Sequence, residues 1–324
     1  MSQMKTTGKI VVTGGAGFIG SHLVERLLEK ADEVFVLDNF DAFYHGKEKN
    51  LADLHAKKGF TLVRGDILDY ECVRKIFEKA EQIFHLAAQP GVSFSLLNPV
   101  KTNLINTEGT LNVLRAAAEC KARRFIYASS SSVYGIPLTM PVSETHPTKP
   151  LSIYGVSKLA AEQYCFLYHT LRNLPVVALR YHTVYGPRQR PDMAIYKWCK
   201  ALIDDKPPVI FGDGMQSRDF TFVGDIVTGT LLAAESENAV GQVFNLASGT
   251  TIRISDALAL LQRILGKPAT SIDFQPSKSC DPPITHADIG KARDMLGYKP
   301  AVSFEEGLTE FAGWIKKFMP QSLT

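Results

Sequence analysis

Tyr154 and Lys158 stand four residues apart, at the start of what reads as a long helix. That spacing sets both side chains on one face. An ammonium close to a phenol favours phenolate, so the pair predicts a tyrosine acid–base tuned towards neutral pH. Upstream, the apolar run Phe125–Ala128 ends in Ser129-Ser130-Ser131-Ser132, where a hydroxyl could hold a substrate alcohol beside the tyrosine. Nearer the N-terminus, Gly14, Gly17 and Gly20 lie between the run Ile10–Val12 and a helical pattern carrying Leu23, Leu27 and Leu28. Strand, glycine turn and helix in that order make a dinucleotide cradle. Gly14 serves the tight turn, Gly17 lets a pyrophosphate approach the backbone, and Gly20 lets the helix lie against the strand. The N–H groups at the helix start then face the anion. The next apolar run, Val34–Leu37, ends in Asp38, an acid placed to bond adenosine ribose hydroxyls and to repel a 2′-phosphate. NAD is therefore the expected dinucleotide.

The elements that must position these residues follow from the alternation of short apolar runs with helical patterns. Runs at 10–12, 34–37, 60–63, 83–87, 124–128 and 175–180 predict strands, and the segments near 21–30, 47–57, 70–79, 101–119 and 154–172 predict helices between them. Repeated βαβ units give an α/β fold, a doubly wound parallel sheet covered on both faces, with ligands at the carboxyl ends of its strands. Polar residues stand at those ends. Asp66-Ile67 follows the third run; the acid suits either an adenine amino group or the start of the helix from Asp69. Leu86, Ala87, Ala88 and Gln89 close the fourth run, with small residues that let a cofactor lie against the backbone. Asn106 either bonds backbone across the sheet or lines the cofactor.

After Tyr181 the alternation breaks, and Pro187, Pro191, Pro207, Pro208 and several glycines follow. Residues 1–181 are read as the NAD-binding domain and 182–324 as a smaller mixed α/β substrate domain, with the segment near 219–246 free to return to the first. In the second part a helix is expected near 192–204, strands at 208–211, 219–222 and 242–246, and helices near 255–265, 288–296 and 304–318. The two domains form a cleft.

A chain of 324 residues can bury a full core. Its formal net charge of +3 is too mild for nucleic acid but suits a small anionic ligand. No apolar run reaches the ~20 residues needed to span a bilayer, and the N-terminal MSQMKTTGK has no apolar export core, so a cytoplasmic protein is expected. The five cysteines, Cys72, Cys120, Cys165, Cys199 and Cys280, are scattered, and no pair has metal-ligand spacing; reduced thiols and no metal are expected.

TGGAGFIGSH, LDNF, GDILD, HLAAQ, ASSSSVYG, YGVSK, LRYHTVYGPRQRPDMA, FGDG, SRDFTFVGDIV and HADIGKARDMLGY occur in that order along nearly the whole chain. In this it resembles the extended short-chain dehydrogenase/reductases, in the nucleotide-sugar 4-epimerase branch. The resemblance implies a triad of Ser130, Tyr154 and Lys158, with Ser130 identified by matching Val133-Tyr134-Gly135 to the family's Val-Tyr-Gly. It extends the cofactor set to Phe18, Ile19 and Asn39 and puts His182 beside the nicotinamide. It also implies a UDP-sugar substrate, redox at C4 that ends where it began, tightly held NAD, and a homodimer built on the helices near 101–119 and 154–172. Those helices carry apolar residues beyond one core face, though burial within one subunit would read alike.

For the sugar, the resemblance gives Pro90 and Ser130 near the reacting ring and Arg218 on the diphosphate, the alternative being a surface pair of Arg218 with Asp219. Phe211 matches a residue near uracil, or is a core phenylalanine, and Asp281 matches an acid near the nucleotide. Residues 183–194 are more similar to the UDP-glucuronate 4-epimerases than to the UDP-glucose enzymes, with Thr183 in place of asparagine. In that group Arg190 lies near the sugar carboxylate, and Ser130 and Ser131 hydrogen-bond it; the alternative is Arg190 paired with Asp192. Thr285 replaces a bulky tyrosine, widening the pocket for a carboxylate or an N-acetyl group. Ser93 and Lys278 stand where relatives often carry arginine. The rival readings are a UDP-glucose or UDP-N-acetylglucosamine 4-epimerase and a non-catalytic NAD sensor or scaffold. A 4,6-dehydratase normally has Asp-Glu beside the triad hydroxyl, where this chain has Ser131-Ser132.

Overall fold

The computed structural model describes residues 6–267, 271–277 and 282–318. The first part runs β1 (Thr6–Thr13), α1 (Phe18–Leu27), β2 (Ala31–Asp38), α2 (Lys47–Leu51), β3 (Phe60–Arg64), α3 (Tyr70–Phe77), β4 (Ala80–His85), α4 (Val92–Leu97), α5 (Pro99–Asn103), α6 (Thr110–Glu119), β5 (Arg124–Ser130), α7 (Ile153–Arg172) and β6 (Val176–Tyr181). The second part runs β7 (Val184–Tyr185), α8 (Ala194–Ile203), β8 (Val209–Phe211), β9 (Ser217–Arg218), β10 (Thr221–Phe222), α9 (Val223–Glu235), β11 (Gln242–Leu246), β12 (Ile252–Arg253), α10 (Ile254–Leu265), β13 (Asp273–Gln275), α11 (Gly290–Leu296) and α12 (Phe304–Phe318).

Seven strands make one parallel sheet in the order β11-β6-β5-β4-β1-β2-β3. The α/β reading is thus correct. Successive side chains leave a strand on opposite faces. Ile10, Val12, Phe84, Ile126, Val177 and Leu179 face one core with α1 and α9. Val11, Ile83, Phe125, Tyr127, Val176 and Ala178 face the other, against Val73 and Phe77 of α3, Val113 and Ala117 of α6, and Ala161 and Cys165 of α7. Each fully buried Val, Leu, Ile or Phe among them contributes roughly 1.5–3 kcal/mol. The order reverses between β1 and β4, which opens a crevice at their carboxyl ends.

Three local differences from the sequence expectation matter to the site. The expected helix near 101–119 is α5, a π-helical turn over Leu104–Gly109, and α6. The helix near 47–57 stops at Leu51 and continues as a 3-10 turn to Leu54. No helix was expected at 223–235, where α9 stands. Nine of its residues are buried, so no polar face marks its period. A Cβ on Gly229 would meet Leu246 at 2.9 Å and Tyr298 at 3.0 Å: glycine here allows close packing, not a bend.

Candidate active site

α7 sets the chemistry. Ser152 caps it, accepting from the Gly155 N–H at 3.0 Å, and Asn173 ends it in the left-handed region. Gly155, Lys158, Ala161, Glu162 and Cys165 fall on its buried face. Tyr154 therefore stands one turn before Lys158, over the carboxyl end of β5. Lys158 donates to the Ala128 carbonyl at 2.7 Å and lies 4.9 Å from the Tyr127 ring centre. Burial lowers its pKa to about 8. Burial also pushes the Tyr154 phenol up, opposed by the Arg190 charge and by hydrogen bonding with Ser130. Arg190 is thus one cation acting on Tyr154, while the Lys158 ammonium, one turn on, is held at the carboxyl end of β5. Ser130 closes that strand, and its hydroxyl accepts from the Ser132 N–H at 3.1 Å.

The glycine turn behaves as its spacing implies. Gly14 has φ +72°, and a Cβ there would stand 2.6 Å from the Ala87 nitrogen. A Cβ on Gly20 would overlap the Gly14 carbonyl. Gly17 faces open space except for the Gly14 oxygen at 3.1 Å and the Tyr44 hydroxyl at 3.7 Å. Asp38 is buried at the end of β2, accepting from the Ala16 N–H at 3.0 Å and the Phe40 N–H at 2.9 Å, and burial raises its pKa.

A cavity of about 430 Å³ follows the strand ends and is lined by Gly14, Gly17, Phe18, Ile19, Gly20, Asp38, Asn39, Asp66, Ile67, Leu86, Ala87, Ala88, Gln89, Pro90, Ser130, Ser131, Tyr154, Lys158, His182, Thr183 and Arg190. A second, of about 500 Å³, is lined by Ser93, Arg218 and Thr285, and shares Ser131, His182, Thr183 and Arg190 with the first. Asp66 accepts from the Asn39 amide at 2.8 Å; the cap of α3 is Asp69, which accepts from Cys72 at 3.1 Å. Tyr44 and Lys47 also line the first cavity, and sequence reasoning missed them. Their signal was faint: an aromatic in the loop after the ribose-side acid and a lysine at the start of α2. The Tyr44 hydroxyl is buried with no hydrogen-bond partner among the described residues, beside the open side of Gly17. An orphaned donor, a cradle that Cβ atoms would fill and a buried acid at the β2 end fit a dinucleotide.

Two expected residues stand elsewhere. Asn106 lies behind the cavity wall, bonding the Gln89 N–H at 2.7 Å, the Gln89 carbonyl at 3.1 Å and Ser157 at 3.0 Å. Of its two readings the structure gives the backbone one, with Asn106 on the π-helical turn. Phe211 lines neither cavity; its carbonyl accepts from the Gln216 amide. Arg190 answers to both of its readings, forking onto Asp192 at 2.9 and 3.1 Å while lining both cavities. Arg218 is buried and donates to the Ser217 carbonyl at 2.7 Å. Asp219 turns away from it to accept from the N–H groups of Ser248, Gly249 and Ala287, so the surface pair is not formed. Asp281 and Lys278 lie outside the described residues. Among the described residues no cluster of metal-ligating side chains occurs, and no helix is long and apolar enough to cross a membrane.

A parallel sheet with a glycine cradle at its switch point, and a Ser–Tyr–Lys set at the carboxyl end of β5, make an arrangement suited to dinucleotide-dependent acid–base chemistry. The chain belongs to the extended short-chain dehydrogenase/reductase family: residues 11–311 match the family described as GDP-mannose 4,6 dehydratase. It is 40% identical over 307 residues to an uncharacterized UDP-glucose epimerase of Bacillus subtilis, covering 93% of this chain and 96% of that one. It is 36% identical over 315 residues to the UDP-glucuronate 4-epimerase of Thermodesulfobacterium geofontis, covering 96% and 97%. The crystal structure of UDP-glucuronic acid 4-epimerase from Bacillus cereus, in complex with UDP-glucuronic acid and NAD, superimposes with a TM-score of 0.91 at 40% identity, covering 96% of this chain and all of that one.

Proposed function

We propose that the chain is an isomerase that inverts C4 of a UDP-sugar, converting UDP-glucuronate to UDP-galacturonate with resident NAD. The observation that carries this reading is the placement of Arg190 and Ser131 between the cavity that holds Tyr154 and the cavity that holds Arg218. A sugar carboxylate in that neck meets a guanidinium and a hydroxyl. The resemblance to the Bacillus cereus and Thermodesulfobacterium enzymes supports the same sugar.

Gly14, Gly17, Gly20 and Asp38 would hold the dinucleotide, with Tyr44 and Lys47 over its phosphates. When bound, it supplies the acceptor and later the donor of the C4 hydride. Ser130 holds the C4 oxygen, and Tyr154 takes the hydroxyl proton and returns it after the 4-keto sugar has presented its other face. Arg190 favours the phenolate that this requires. Arg218 anchors the diphosphate while the ring turns. The neighbours of Ser130 are Ser131 and Ser132, so no carboxylic acid stands there to expel a C6 hydroxyl, and dehydration is not the supported chemistry.

The described cysteines stand as free thiols, which supports a cytoplasmic setting. Leu97 of α4, Val100 of α5, and Leu167 and Leu171 of α7 are each more than half exposed, which supports a homodimer closing over these helices.

The test is proton NMR of the purified protein with UDP-glucuronate and no added cofactor. UDP-galacturonate should appear without pentose, and Tyr154→Phe should slow it by about 10²–10⁴-fold. An unchanged spectrum beside conversion of UDP-glucose or UDP-N-acetylglucosamine would leave a neutral-sugar epimerase, the reading favoured by the Bacillus subtilis relative.

A further inference from the structure

His182 follows β6 directly, and its backbone N–H donates to the Leu246 carbonyl at 3.1 Å, which fixes the residue at the sheet end. The residue is 3% exposed, and neither ring nitrogen meets a partner in full hydrogen-bond geometry among the described residues, the Asn245 side chain being the polar group that stands towards the ring. The ring lies 6.3 Å from that of Tyr134, whose hydroxyl is committed to the Asn245 carbonyl oxygen at 2.7 Å. The Asn245 amide is likewise committed, to the carbonyls of Val142 and Asp288. Arg180, Asp219 and His286 are the charged or titratable groups that face the imidazole. Arg180 is spent on Glu162 and Tyr134, Asp219 on backbone N–H groups, and His286 on the Gly249 carbonyl. A buried imidazole always has one N–H donor and, when neutral, one acceptor. Leaving both unmade is costly, and native interiors rarely do so without a ligand or water to meet them.

Where the residue stands decides which ligand. His182 lines both cavities, at the neck where Ser131, Thr183 and Arg190 also meet. A substrate whose C4 must reach Tyr154 while its diphosphate lies towards Arg218 has to thread its hexose through this neck. Thr183 and Ser131 are the hydroxyl-bearing neighbours on the same wall, on the side assigned above to the C6 group. We infer that His182 hydrogen-bonds the C6 substituent of the hexose and is a specificity-determining residue. This rests on the UDP-sugar reading above. It goes beyond a ring that merely flanks the nicotinamide, because a phenyl group would do that equally well.

His182→Phe keeps an aromatic ring of similar size and removes both nitrogens; His182→Asn keeps one donor and one acceptor. The measurement is calorimetric binding of UDP-glucuronate and of UDP-xylose, which lacks C6, to the NAD-containing protein. Thermal melting without UDP-sugar and the absorbance ratio that reports bound NAD are recorded alongside. His182→Phe should weaken UDP-glucuronate binding about ten- to a hundredfold, the scale of one lost bond to a charged or buried group. UDP-xylose binding should change less than threefold, NAD content should hold, and the melting temperature should stay level or rise as an orphaned polar group is removed. His182→Asn should recover part of the loss. Equal loss for both sugars, a loss that follows falling NAD content, or binding within threefold of wild type would each overturn the assignment. Failure of the wild-type protein to bind any UDP-sugar would instead refute the underlying reading, so the two failures are distinct.

Discussion

Glu162 and Arg180 form a two-pronged ion pair sealed from solvent directly behind the serine run: Arg180 donates to one carboxylate oxygen at 2.6 Å and to the other at 3.1 Å. The oxygen that takes the longer bond also accepts from the Ser129 hydroxyl at 2.6 Å, and Arg180 reaches the Tyr134 hydroxyl at 2.9 Å. Glu162 lies one turn beyond Lys158 on α7, Ser129 precedes Ser130 on β5, and Arg180 lies two residues before His182 on β6. One buried pair therefore joins the three elements that carry the site.

Breaking that pair strands a charge in the interior. Glu162→Gln should destabilise the fold by about 3–5 kcal/mol, read as a lower denaturation midpoint, because Arg180 keeps its charge without its partner. An exposed pair such as Arg115 with Glu119, 3.1 Å apart on α6, is screened by water, so Glu119→Gln should lower the midpoint far less. Similar losses for the two variants would mean that the interior pair is not holding the three elements together.

The glycine cradle gives a second contrast. Gly20→Ala drives a Cβ into the Gly14 carbonyl and stands 2.8 Å from the Gly15 Cα, so the turn must open. A cost of about 1–3 kcal/mol is expected for such overpacking, together with loss of co-purifying NAD seen as a fall in absorbance at 260 nm. Gly313→Ala, on α12 with nothing within 4 Å of the new Cβ, should stabilise by up to about 1 kcal/mol. Retained NAD in Gly20→Ala would show that the close approach of α1 to β1 is not needed.

How much of this was visible beforehand follows from the kind of signal each residue leaves. The glycine turn, Asp38 and the Tyr154–Lys158 pair are local: spacing along one segment fixes the geometry, and their side chains reach the first cavity as the spacing implies. The partners of Arg180 and Asp219 were not legible, because they come from Glu162 on α7 and from the loop at Ser248–Gly249. A lysine four residues from a tyrosine was correctly placed on its helix face, but its ammonium is captured by the Ala128 carbonyl, a group no side-chain pattern reveals. Helix α9 escaped notice because burial on nearly all sides erases the polar stripe that marks a surface helix.

Lys158 sets a pH window. Its pKa in the fold is about 8, against 10.5 when unperturbed, because burial disfavours the charged form. Between those values the unfolded chain binds more protons, so stability rises with pH across this window. Relative to Lys158→Met, the wild type should gain roughly 3 kcal/mol in denaturation experiments between pH 8 and 10.5. A stability difference that is flat with pH would show that Lys158 is not desolvated.

A uronate brings a hazard that the neck must control. The 4-keto form of UDP-glucuronate is a β-keto acid, and it loses carbon dioxide when the bond to the carboxylate carbon aligns with the carbonyl π system. Thr183, Ser131 and Arg190 line the space where that carboxylate would lie. Hydrogen bonds from these groups can hold it off the alignment, so that C4 is reduced before carbon dioxide leaves. Thr183→Val keeps the shape and removes the hydroxyl. Losing one such bond, about 1 kcal/mol, should raise the pentose fraction of the products about fivefold, measured by proton NMR after exhaustive turnover. The epimerised product should still form, since Tyr154 and Ser130 are untouched. No increase in pentose at unchanged turnover would mean that the carboxylate is held by Arg190 and the serines alone.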